Sequence, residues 1–167
     1  MKYFYTIIII LFSSSGFGQD STYTRLSPYW ETHLAMVAGY QFQHNHFAEL
    51  GLGIKKNLVG TIHPSTFIYG VSNEFKLHQD FIWGLKVFAW IGGGNGGLNL
   101  GGNIIHYTDF DQTAWVFRPE IGIGVDFFRL VYGYNFNFTN SNMVGINDHN
   151  FGINFLINTK KIKQTPY

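Results

Sequence analysis

Trp115-Val116-Phe117-Arg118-Pro119-Glu120-Ile121-Gly122-Ile123-Gly124-Val125-Asp126 is the stretch on which the fold turns. Trp115, Phe117, Ile121, Ile123 and Val125 alternate with Arg118, Glu120, Gly122, Gly124 and Asp126. A period of two sends successive side chains to opposite faces of a strand, so one face here is apolar and the other charged or bare. The next stretch repeats the pattern, with Leu130, Tyr132, Tyr134, Phe136 and Phe138 opposite Arg129, Val131, Gly133, Asn135 and Asn137. Upstream, Phe67, Tyr69, Val71, Phe75 and Leu77 stand against Ser72, Glu74 and Lys76. Phe81, Trp83, Leu85, Val87 and Ala89 stand against Lys86, with Phe88 and Trp90 as exceptions on the polar side.

Extending this reading outward gives eight strand segments, near residues 31–43, 46–56, 65–77, 80–92, 97–108, 113–126, 129–139 and 148–158. Between them lie His44-Asn45, Asn57 to Pro64, His78-Gln79, the glycine run at 92–97, Asp109 to Gln112 and Thr139 to Asp148. Glycine would cost a helix about 1 kcal/mol per residue, whereas Asn95-Gly96 is a good hairpin dipeptide. The run lacks the Gly-Lys-Ser/Thr ending of a phosphate-binding loop. Pro119 removes one ladder hydrogen bond and predicts a bulge or a strand start at that point.

The polar face is mostly Gly, Asn and Ser with isolated charges, not the Lys- and Glu-rich coat of a soluble carrier barrel. Small residues with a few ions suit a narrow lumen, and an aromatic-rich apolar face suits lipid with Trp and Tyr at its borders. Charged residues are 13% of the chain and aromatics 19%, the former about half the usual share of a soluble domain. The pattern predicts an all-β, antiparallel up-and-down transmembrane β-barrel of about eight strands, closed because an open edge in lipid would strand backbone donors and acceptors. Most segments reach the roughly 9 to 11 residues of a tilted membrane strand.

Met1-Lys2-Tyr3, the apolar run Ile7 to Phe12 and the small residues Ser13 to Gly18 follow the order of a secretory signal, with cleavage expected before Gln19. Residues 1–18 are thus read as signal peptide, 19–30 as an N-terminal segment, 31–158 as the barrel and 159–167 as a C-terminal tail. A membrane anchor would need about 20 apolar residues, more than this run supplies. The absence of cysteine removes disulfides, thiolate metal sites and cysteine nucleophiles. A net charge of +1 gives no overall basic field for nucleic acid, and Lys160-Lys161-Ile162-Lys163 is read as a solvated tail.

Asn150-Phe151-Gly152-Ile153-Asn154-Phe155-Leu156-Ile157 resembles the signal by which outer-membrane barrels are recognised for insertion, carried by Asn150, Gly152, Phe155 and Ile157. With the leader and eight strands, the mature chain resembles the small eight-stranded barrels of the outer membrane protein A/X class. The resemblance implies residence in the outer membrane of a Gram-negative bacterium, with outer-membrane lipid and the barrel-assembly machinery as partners. Members of that class usually end at this strand, whereas the chain continues to Tyr167. They also pair short periplasmic turns with long outer loops, whereas here the longest links fall on opposite sides.

Glu49, Lys55, Glu74, Lys76, Lys86, Arg118, Glu120, Asp126 and Arg129 fall on the inner face, with both signs represented. Eight strands enclose just enough width for side chains to fill, so these residues are expected to form an ion-pair plug in preference to an ion-selective passage or proton-linked gate. His44-Asn45-His46 is an incomplete metal set. His63-Pro64-Ser65 is similar to the His-x-Ser of the lipid A deacylases, but it sits early, in a linker, with Thr66 in place of asparagine. The expected function is therefore a non-enzymatic barrel, a structural, adhesive or accessory subunit without cofactor. Two alternatives are a soluble periplasmic barrel carrying an apolar ligand and a lipid-modifying enzyme of the deacylase type.

Overall fold

A computed structural model describes residues 27–61, 64–78, 80–93, 97–139, 143 and 145–167. The leader, most of the N-terminal segment, His63 and Asn95-Gly96 lie outside the described residues. The described residues contain no helix. Their strands are β1 (Tyr29–Phe42), β2 (His46–Val59), β3 (Ser65–Lys76), β4 (Trp83–Gly93), β5 (Leu98–Thr108), β6 (Thr113–Val125), β7 (Phe128–Tyr134), β8 (Phe136–Asn137) and β9 (His149–Pro166). All pairings are antiparallel, running from β1 through β7 in chain order, then to β9 and back to β1, so the sheet closes in a ring.

The seventh predicted segment is divided between β7 and β8, and Pro119 accounts for the division. The β6 ladder reads Glu120↔Gly133 toward β7 and Phe117↔Phe136 toward β8, one register throughout. The ladder is interrupted opposite Arg118 and Pro119, where proline has no N–H to give. On the side away from β6, Asn135 donates its backbone N–H to Asp148 O at 2.7 Å, which carries the β7–β9 register one residue further. On its other side Pro119 stays in register with Gly102, so the expected bulge or strand start is a local gap.

The C-terminal tail is the larger departure from expectation. β9 runs on to Pro166, pairing Lys160 with Leu34, Lys163 with Thr32 and Pro166 with Tyr29 through two register shifts. β7 leaves β9 at Phe155, so this last portion borders β1 alone. Residues 159–166 are exposed strand, not a free tail, because β1 reaches back to Tyr29 and offers them its open edge.

The alternation sorts the two faces as the sequence implies. Along β4, Gly84, Lys86, Phe88, Trp90 and Gly92 are buried in the ring while Leu85, Val87, Ala89 and Ile91 are exposed. Phe88 and Trp90 fit on the inner face because their register partners are Gly70 and Gly101. A Cβ on Gly70 would lie 2.8 Å from Phe88 Cζ, and one on Gly101 2.7 Å from Trp90 Cβ. Inside the ring, one apolar cluster holds Phe47, Ile82, Ile105, Tyr107, Val116 and Met143. A second holds Val37, Ile68, Phe88, Trp90 and Leu156. Along β4 the charged side chain of Lys86 lies between Gly84 and Phe88, at the level between these clusters.

Candidate functional site

Glu49 on β2 and Glu74 on β3 are direct register partners on the inner face. Two carboxylates opposite one another repel, and Lys86 from β4 answers both. Its Nζ lies 2.5 Å from Glu49 Oε1 and 2.9 Å from Glu74 Oε1. Arg118 on β6 closes the group from the far wall, with Nη1 2.8 Å and Nη2 3.3 Å from the two oxygens of Glu74. Glu49, Glu74, Lys86 and Arg118 are all buried, and their formal charges cancel.

Neutral donors and acceptors fill the remaining valences. Glu49 accepts from Gln41 Nε2 at 2.7 Å, Ser72 Oγ at 2.7 Å and Asn154 Nδ2 at 2.8 Å. The Tyr107 hydroxyl donates to Glu74 and accepts from Arg118. Arg118 Nε donates to Asn135 Oδ1 at 2.6 Å, and Asn135 Nδ2 donates to Gln43 Oε1 at 3.0 Å. Asn135 continues the inner-face alternation of Arg129, Val131 and Gly133, which places its side chain as a partner for Arg118.

Two further ion pairs stand apart from this centre. Arg129 Nη2 lies 3.1 Å from Glu120 Oε2, and its guanidinium carbon sits 4.3 Å from the centre of the Trp90 ring. Among the described residues Glu120's oxygens have no hydrogen-bond partner, so the contact is ionic, with cation–π support from Trp90. At the end of the ring where β1 starts and β9 finishes, Lys55 Nζ meets Asp126 Oδ1 at 2.6 Å, and Asn57 Nδ2 donates to the same oxygen at 2.9 Å. Lys76, near the other end, is half-buried and forms no ion pair among the described residues.

Eight of the nine charged residues assigned to the inner face are therefore joined in ion pairs, in three groups. Gln41, Gln43, Tyr107, Asn135 and Asn154 were not recognised as their partners. Parity could have found Asn154, two residues beyond Gly152, and Tyr107, four beyond Asn103. Of the insertion-signal residues, Asn150 and Gly152 are buried inside while Phe155 and Ile157 are exposed outside. Asn150 donates to Gln41 Oε1 at 2.8 Å.

A cavity of about 460 Å³ opens at the Lys55–Asp126 end, lined in part by Glu31, His33, Asn57, Ser65 and Asp126. His33 Nε2 lies 3.2 Å from Glu31 Oε2. Lys161 Nζ donates to Glu31 at 2.6 Å. Ser65 makes no hydrogen bond to a histidine among the described residues. His46 is engaged by the Tyr40 hydroxyl, and no three potential metal ligands converge among the described residues. No protein-family model, curated protein or solved structure matches the chain.

Proposed function

We propose that the chain is a transmembrane β-barrel of a Gram-negative outer membrane, non-enzymatic, serving as a structural, adhesive or accessory subunit, with an interior plugged by its own ion pairs. The observation that carries this reading is the inversion of the usual distribution of side chains. Leu50, Leu52, Val87, Ile123 and Ile157 are each more than 50% exposed on the outer face, while Lys55, Lys86, Glu74 and Arg118 are fully buried inside. Water on that outer face would meet a continuous apolar band, far larger than the few hundred Å² that monomeric soluble proteins expose. Lipid removes the conflict, and closure of the sheet in a ring suits it, because a free edge there would strand backbone donors and acceptors; the interruption opposite Arg118 and Pro119 is local. β3 to β6 span 11 to 13 residues each, sufficient for a tilted crossing.

A soluble carrier would need an apolar interior for its ligand, and the middle of this interior is ionic. The test is fractionation of cells expressing the full-length chain, followed by electrophoresis of heated and unheated detergent extract. Recovery in the outer membrane with a heat-dependent mobility shift is the expected result. Recovery in soluble periplasm, without detergent, overturns it.

A further inference from the structure

The exposed part of β9 supplies more than length. Its register shifts place Lys163 opposite Thr32 of β1, and Thr32 is also the partner of Lys56 on β2. The two lysines thus flank one threonine on the outward face, with Cα atoms two strand spacings, about 10 Å, apart. Between them lies a surface groove of about 610 Å³. Its polar lining is Thr32, Lys56, Lys163 and Thr165, every one of which can donate a hydrogen bond. Its apolar lining is Trp30, Ile54, Phe67, Tyr69 and Ile162.

Charge on the rest of the surface points the same way. Lys161 turns to the inner side and is taken by Glu31, but Lys56 and Lys163 have no acid partner among the described residues. No Asp or Glu stands on the outward face of any described strand. Asp80, Asp109, Asp111 and Asp148 are in links at the opposite end of the ring, and at the end where β1 starts and β9 finishes Asp126 is taken by Lys55 and Glu31 by Lys161, leaving Lys56 and Lys163 unmatched among the described residues.

Resting on the membrane reading above, we propose that this groove seats one glycerophospholipid of the leaflet at the end where β1 starts and β9 finishes. Its headgroup phosphate lies between Lys56 and Lys163, and its acyl chains lie along Ile54, Phe67 and Tyr69. Phosphate chemistry fits two ammonium groups and two hydroxyls with no competing carboxylate, and the aromatic side chains mark the level where headgroup gives way to hydrocarbon.

The test uses the mature chain folded in detergent and supplied with phosphatidylglycerol, with retained lipid counted by native mass spectrometry. The wild-type protein is expected to hold one lipid. K56Q/K163Q is expected to hold it roughly thirty-fold less tightly, about five-fold for each lysine at an anionic lipid surface. K160Q, an outward lysine outside the groove, should retain lipid as the wild type does. Equal retention by the double variant overturns the site, while a heat-dependent mobility shift in the same sample leaves the barrel intact. Equal occupancy by inorganic phosphate alone overturns the lipid as occupant. A chain that stays monodisperse without detergent and retains no lipid overturns both readings.

Discussion

Lys86 is the side chain on which the interior depends most, because it alone reconciles two carboxylates that the β2–β3 register sets face to face. Removing its charge leaves Glu49 buried with only the neutral donors Gln41, Ser72 and Asn154. Loss of one partner from a buried ion pair costs about 3–5 kcal/mol, since the remaining charge stays desolvated. K86M is therefore expected to lower the urea midpoint of the folded, fast-migrating form by that equivalent. K86M/E49Q should recover at least half of the loss, because a glutamine carbonyl still accepts from the same donors and no longer carries charge. Failure of the double variant to recover would mean that packing of the lysine stem, not its charge, holds the region. The small residues opposite the large ones are a second condition. Gly101 leaves no room for a Cβ beside Trp90, so G101V is expected to cost about 1–3 kcal/mol by overpacking, read on the same gel. A G101V chain as stable as wild type would show that the Trp90 side of the interior yields freely.

At the scale of elements, β9 joins two structures of different kind. Up to Leu156, whose N–H still reaches Phe127 O, it has neighbours on both sides and closes the ring, and its portion from Lys160 on is laddered to β1 only. Truncation after Asn158 is accordingly expected to leave the heat-dependent mobility shift in place while abolishing lipid retention at Lys163. Loss of the shift would show that the extension is needed for closure. The positions of strands up to residue 126 were legible because alternation there is enforced on both faces, lipid-like on one and narrow on the other. Lys160-Lys161-Ile162-Lys163 shows no such alternation, since its only constraint is the edge of β1, a tertiary partner far away in sequence. The gap at Asn135 was half legible. Pro119 announced a broken ladder, but which neighbour would lose its bonds depended on the register between β6 and β7. The inner-face charges could be found from parity alone, whereas their grouping could not, because Glu74 and Arg118 meet across the ring, not along a strand.

For the molecule as a whole, the question that follows from the inverted faces is whether the interior passes anything. Arg118, Lys86, Glu74 and Glu49 are buried to 2% exposure or less, and apolar clusters lie on both sides of them. An ion entering from the Lys55–Asp126 mouth would have to displace Trp90 and Phe88 before meeting charges that already neutralise one another. Breaking those pairs costs several kcal/mol in a low-dielectric interior, and the entering ion brings no compensating partner. Planar-bilayer recordings of the mature chain are therefore expected to show no discrete steps. K86A/R118A removes both cations that bridge the walls and should either open steps of cation preference, set by Glu49 and Glu74, or unfold the ring. The mobility shift distinguishes these outcomes. Steps in the wild-type protein that change when Lys86 or Arg118 is replaced would overturn the plug and make the same four residues the lining of a pore.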